Sequence, residues 1–224
     1  MSTDPPVGPR TALLRQLAAE IDSLGTGRIL VAVDGVDGSG KTTFAGRLAE
    51  AIAGRPVIVI HADDFLNLRE VRHRRGAQSP EGFWLDTYDY PALDRDVLTP
   101  LGSNGSGIYR TAASDPRRNV RVNQPPRQAP EDAVVLIEGM FLHRSELADR
   151  WDYSIFLAVP FHETARRMAL RDGTHPDPGH PTMRRYVEGQ RLYFSSARPW
   201  GRATRIVDNT IPGHPRLMSV NDLP

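Results

Sequence analysis

Cysteine is missing from this chain of 224 residues, which excludes disulfide bridges, thiolate metal ligands and a cysteine nucleophile. Long apolar runs are missing too. No stretch approaches the roughly 20 apolar residues that a membrane-spanning helix needs, and Met1 to Arg10 lacks the basic and apolar regions of a signal peptide. The expected location is the cytoplasm, with no membrane partner. No excess of one charge is present: the formal net charge is +1, which gives no reason to expect nucleic acid as a partner. The seven histidines are scattered without His-Glu-x-x-His spacing, so a zinc site is not expected. What remains, 39% hydrophobic and 25% charged, is the composition of an ordinary globular domain long enough to bury a core.

Lysine is nearly missing as well: among 28 lysines and arginines, Lys41 is the one lysine. It lies in Gly35-Val36-Asp37-Gly38-Ser39-Gly40-Lys41-Thr42, a complete match to the phosphate-binding pattern G-x-x-x-x-G-K-[ST]. An ammonium is a compact charge that reaches phosphates from beneath such a loop, where a planar guanidinium would collide with backbone. Gly35, Gly38 and Gly40 allow the loop amides to turn inward. The residues expected on the phosphates are therefore Gly35, Val36, Asp37, Gly38, Ser39, Gly40, Lys41, Thr42 and Thr43. The same scarcity removes one function class: the guanine-reading Asn-Lys-x-Asp of regulatory GTPases cannot exist in a chain whose lysine is already used. A nucleic-acid remodelling ATPase fits poorly with the near-neutral charge.

Context agrees with the motif. Arg28 to Val33 reads as a buried strand ahead of the loop, and Thr42 to Ala53 as the helix after it. That order sets phosphates on a helix N-terminus, where free N–H groups and the dipole favour anions. Further strands are expected at Pro56 to Ile60, Ala133 to Ile137, Tyr153 to Val159 and Arg205 to Asp208. Helices are expected at Thr11 to Leu24, Pro91 to Leu98, Phe161 to Arg171 and Pro181 to Ser196. Alternation of this kind predicts an α/β fold, a five-stranded parallel sheet with helices on both faces. Ligands then bind beyond the C-terminal strand ends, where Asp63 and Glu138 fall. Two carboxylates beside Lys41 suit a magnesium-dependent phosphoryl transfer, although a helix cap for Asp63 and a turn role for Glu138 are the plainer alternatives.

These residues resemble the uridine kinase and phosphoribulokinase group of P-loop kinases, which also includes nicotinamide riboside and pantothenate kinases. Val59-Ile60-His61-Ala62-Asp63-Asp64-Phe65 resembles the group's strand into an Asp-x-Phe motif, which implies Asp63 as catalytic base. Thr87-Tyr88-Asp89-Tyr90-Pro91 resembles the segment whose aspartate holds sugar hydroxyls, implying Asp89, and beside it Tyr88, as substrate-binding residues. Leu136-Ile137-Glu138-Gly139 resembles the Walker B strand, implying that Glu138 and Thr42 organise Mg²⁺. Thr164 to Asp172 resembles the helix into a mobile lid, with Arg167 and Arg171 closing over the transferred group. The implied activity is ATP-dependent, Mg²⁺-dependent phosphorylation of a hydroxyl on a small molecule, a nucleoside first. Nicotinamide riboside, pantothenate, a thymidylate-like substrate or plain ATPase activity stay open.

Uridine kinases carry a Tyr-Asp-Phe segment followed by a histidine at the base. Here the stretch is Tyr109-Arg110-Thr111-Ala112-Ala113-Ser114: the tyrosine is kept, the histidine is absent, and Tyr109 and Arg110 are the substrate-side candidates. The run Arg72-His73-Arg74-Arg75 beside Asp63 reads equally as a contact for a phosphorylated ligand or as a solvated face. Trp84, Tyr88 and Tyr90 read as core more than as a stacking wall. The expected organisation is a disordered start over 1–9, a kinase domain over 10–210 with a short lid near 172–185, and a tail over 211–224. A homo-oligomer is left open.

Overall fold

The computed structural model describes residues 8–222; most of the expected disordered start lies outside them. Helix α1 (Pro9–Asp22) is followed by strand β1 (Ile29–Gly35), the glycine loop, α2 (Lys41–Ala51) and β2 (Val57–His61). Helix α3 (Pro80–Asp86) and a helical stretch over 90–101, widened by one turn at Asp94–Leu98, come next. Then follow β3 (Val134–Gly139), β4 (Tyr153–Ala158), α4 (Phe161–Asp172), α5 (Arg184–Ala197), β5 (Arg205–Asp208) and β6 (Arg216–Met218). Between 101 and 134 the chain makes only two-residue ladders, Ile108–Tyr109 with Arg127–Gln128 and Ser114–Asp115 with Val120–Arg121.

The sheet runs in the order β6-β5-β4-β1-β3-β2. Five strands are parallel, as expected, but the sheet has six: β6 pairs antiparallel with β5, in what the sequence presents as a tail. Its three residues have no apolar alternation and Leu217 is exposed, so nothing in the pattern distinguishes this edge from a loop.

β1 is buried along its whole length because it is the central strand with a helix layer on each face. The period of two divides its side chains. Val31 and Val33 pack with Leu17 and Ile21 of α1 and Phe44 and Leu48 of α2. Leu30 and Ala32 face the opposite core of Phe83, Tyr88, Leu93, Leu98, Phe141 and Tyr193. Parallel register then fixes the site: Glu138 on β3 lies between Val33 on β1 and His61 on β2. Among the described residues no helix is long and apolar enough to cross a membrane.

Candidate active site

The glycine loop is held in shape before any ligand is considered. Gly38 and Gly40 have φ of 78° and 90°, the left-handed region that glycine alone enters without strain. A Cβ at Gly38 would also lie 2.7 Å from the Thr164 carbonyl oxygen, so α4 closes on the loop at a glycine's distance. Gly35 is needed for space instead: a Cβ there would lie 2.7 Å from Ser39 Oγ. Behind the loop, Asn209 Nδ2 donates to the Ser39 carbonyl at 2.7 Å.

Lys41 Nζ donates to the Val36 carbonyl at 3.0 Å, which curls the side chain back under the loop. One residue on, Thr42 Oγ1 donates to Glu138 Oε1 at 2.9 Å. His61 Nδ1 meets the same Oε1 at 2.7 Å. Burial would raise the Glu138 pKa, but the hydrogen bond from His61 and the Lys41 charge outweigh it and hold the carboxyl below its usual value. The Glu138 hydrogen bond in turn raises the pKa of His61. His61 is a member of the site that motif reading missed; the signal was present in the register, since a residue ending β2 must stand beside the one ending β3.

Asp63 follows β2 in a short turn (Ala62–Phe65). It is open to the cleft yet crowded by protein, and this burial raises its pKa, while the Tyr88 hydroxyl and Lys41 pull the other way. Tyr88 Oη donates to Asp63 Oδ1 at 2.8 Å and accepts from the Met140 N–H at 3.3 Å. Tyr88 itself is 2% exposed. The expectation of Tyr88 on the substrate is therefore revised: its ring is core, and its hydroxyl orients one oxygen of Asp63, leaving the other without a hydrogen bond from the described residues.

Arg167 also takes a different place from the one expected. Its Nε donates to Glu163 at 2.8 Å, one terminal nitrogen reaches the carbonyls of Gly38 and Ser39 at 3.3 and 3.4 Å, and the other reaches those of Asn209 and Thr210 at 3.0 and 2.8 Å. A guanidinium whose donors are all engaged is a brace between α4, the loop and the exit of β5, not an arm free to swing. Arg171 is exposed and pairs with Asp172 and, at 3.0 Å, with Asp37 of the loop.

Asp89 caps the helical stretch after it, accepting from the Ala92 N–H at 3.0 Å, and its second oxygen pairs with Arg121. With Arg95, Asp96, Arg110 and Ala113, these two line a polar cavity of about 420 Å³. Arg110 is held by the Gln124 carbonyl at 3.1 Å. Tyr109 is buried in the core and does not line that cavity. A separate hollow of about 230 Å³ lies beside Gly40, between Thr43, Arg47, Arg167, Asn209 and Pro212.

No family model matches the chain. It is 30% identical over 188 residues to the uridine kinase of Deinococcus deserti, covering 80% of this chain and 86% of that one. The chain belongs to the uridine kinase family of P-loop kinases. Nicotinamide riboside kinase 2 of Mus musculus is 28% identical over 156 residues, covering 67% of this chain and 72% of that protein. Among solved structures, a possible uridine kinase from Bacillus stearothermophilus superposes with a TM-score of 0.69 at 22% identity, over 88% of this chain and 96% of that one. This is an ATP-dependent small-molecule kinase.

One further network escaped the sequence reading. Asp34, at the end of β1 and fully buried, accepts from the Gly35 N–H at 2.6 Å, from the His143 N–H at 3.1 Å and from the Tyr193 hydroxyl, with His143 Nδ1 at 2.7 Å. It links the first residue of the loop to the segment after β3 and to α5.

Proposed function

We propose that this kinase moves the γ-phosphoryl group of ATP onto a hydroxyl of a ribonucleoside, with Mg²⁺. The observation that carries the reading is the convergence of Lys41, Thr42, Glu138 and Asp63 at one sheet edge, with Asp63 exposed and its second oxygen without a hydrogen bond from the described residues. In the reaction the acceptor oxygen bonds to the γ-phosphorus, the bond from that phosphorus to the β–γ bridging oxygen breaks, and the hydroxyl proton passes to Asp63. A base crowded by protein has a pKa closer to neutrality, which suits it to accept a proton in the transition state.

Lys41 and the loop amides carry the β- and γ-phosphates, and positioning with charge stabilisation does most of the work. The donor set fits Mg²⁺: the Thr42 hydroxyl and the Glu138 carboxylate are hard oxygens, and among the described residues no cluster of three or more protein ligands competes with phosphate oxygens and water. When bound, the ion neutralises charge on the β- and γ-oxygens. Arg167 holds the loop in its binding shape, and the hollow beside Thr43, Arg167 and Pro212 is a seat for the base of ATP. Arg171, at the start of the 172–185 lid, leaves Asp37 to meet the phosphoryl group. Asp89 grips the ribose diol once Arg121 yields it.

The acceptor base is the point on which relatives differ, and the cavity wall here is Ala112 and Ala113, not a histidine. That leaves room for a riboside whose base differs from uracil, as the names of the nicotinamide riboside kinase relatives also suggest. ADP release from Mg-ATP against uridine, cytidine, deoxynucleosides, nicotinamide riboside, pantothenate and ribulose 5-phosphate tests the assignment. Turnover of a ribonucleoside that requires Asp63 supports it; turnover confined to pantothenate or a sugar phosphate contradicts it.

A further inference from the structure

The basic run after Asp63 splits into two kinds of arginine. Arg74 and Arg75 both pair with Asp86, at 2.5 and 2.9 Å, and so lock the run to α3. Arg72 does not share in this. It is half-buried, and among the described residues its enclosed Nε has no hydrogen-bond partner and no carboxylate lies within 4.0 Å of it. Arg185, at the start of α5, is 8% exposed, packs its guanidinium 5.5 Å from the Phe83 ring centroid, and donates one nitrogen to the Ala77 carbonyl, again with no carboxylate partner among the described residues. Arg69 stands one turn before Arg72, on the same side of the short helix Arg69–Arg72, without an acidic partner among the described residues either.

The three are close enough for each to disturb its neighbours. Burial first, then the charges of Arg185 and Arg69, lower the pKa of Arg72, and Asp63 is near enough to act in the opposite sense. Partly buried like charges without a counter-ion are costly, and a protein keeps them together where a ligand supplies the missing anion. An arginine fork matches the two oxygens of a carboxylate or phosphate.

We infer that Arg72 and Arg185, with Arg69 at the rim, seat an anionic group of the acceptor, a carboxylate or a phosphate, beside Asp63. The inference rests on the kinase reading and narrows it: the favoured riboside carries a negative charge away from the hydroxyl that is phosphorylated. It is distinct from the cavity at Asp89, whose arginines are already paired.

The test compares acceptors that differ by one anionic group. Nicotinic acid riboside against nicotinamide riboside, and orotidine against uridine, probe a carboxylate; uridine 3′-phosphate against uridine probes a phosphate. In the wild type, kcat/KM for the member of one pair that carries the added carboxylate or phosphate should exceed that of the member without it by about tenfold or more, the scale of charge-assisted hydrogen bonds. Arg72→Gln should bring that ratio near one, and Arg72→Lys, which keeps the charge but not the fork, should restore part of it. A wild type without preference, or a preference that survives Arg72→Gln, overturns the inference. So does an equal loss for both members, because the cluster would then serve the transferred phosphoryl group. If no acceptor is phosphorylated, the kinase reading fails separately, and titration calorimetry with the same ribosides in the absence of ATP decides: anion-selective binding lost in Arg72→Gln supports the seat, and equal binding or none contradicts it.

Discussion

The two sides of the cleft are built differently. On the donor side, β1, β3 and α2 present Lys41, Thr42 and Glu138 from fully paired parallel strands, and Asn209 and Arg167 buttress the loop from behind. On the acceptor side, residues 101–133 make two-residue ladders, and the charged groups there meet in pairs over loops, as Asp89 does with Arg121, or carry no partner, as Arg72 does. The donor is a triphosphate whose charge and shape do not vary, so strand register can fix its contacts. The acceptor varies among relatives, and recognition on loops lets it change without disturbing the sheet.

The comparison predicts where damage is largest. Lys41→Ala should lower kcat by about a hundredfold to a thousandfold, the cost of losing one preorganised charge at the phosphates, in a steady-state assay with any accepted acceptor. An effect below tenfold would mean that the loop does not hold the reacting phosphates. Next is Tyr88→Phe, at the seam between the two sides. With Asp63 as the proposed base, activity should fall as pH falls through its raised pKa; the Tyr88 hydrogen bond favours the ionised form, and its loss raises that pKa further. The acid limb of the kcat/KM profile should therefore move to higher pH in Tyr88→Phe. A limb that stays in place or moves down would remove Tyr88 from the site.

Smaller effects sharpen the contrast. His61→Gln removes a bond that holds Glu138 ionised, so half-saturation should need several times more Mg²⁺, with little change when the ion is saturating. Urea melts should find Tyr193→Phe destabilised by about 1–3 kcal/mol, because it leaves the buried Asp34 short of a donor. On the acceptor side, Arg121→Ala should cost under about 1 kcal/mol of stability, its pair with Asp89 being half-exposed, and should instead alter KM for the acceptor. Equal destabilisation by the two substitutions would erase the distinction between a rigid donor side and an adaptable acceptor side.

The same contrast explains what the sequence disclosed. The glycine loop, the parallel strands and the positions of Asp63 and Glu138 were legible because each follows from a local pattern: a motif, an apolar run, a strand end. The five-residue register that brings His61 to Glu138 was implicit in those runs but required knowing which strands are neighbours. Arg167 looked like a lid arginine because its helix spacing matches one; its engagement by carbonyls of the loop and of Asn209 and Thr210 depends on contacts more than 40 residues away, at separations of 129 and 42 residues. Tyr88 was read as a substrate contact from its neighbour Asp89, whereas adjacent residues in this turn face opposite ways, one into the core and one into the cavity. The edge strand at Arg216–Met218 had no pattern to read.

The central claim is that Asp63 is the base at the junction of the two sides. Asp63→Asn keeps the size of the side chain and its contact with Tyr88 while removing the acceptor of the proton. With the acceptor that turns over best, kcat should fall by about a hundredfold or more while the dissociation constant for Mg-ATP, read by titration, stays within about twofold, since no donor-side contact passes through this residue. Turnover near the wild-type rate in Asp63→Asn would contradict the account.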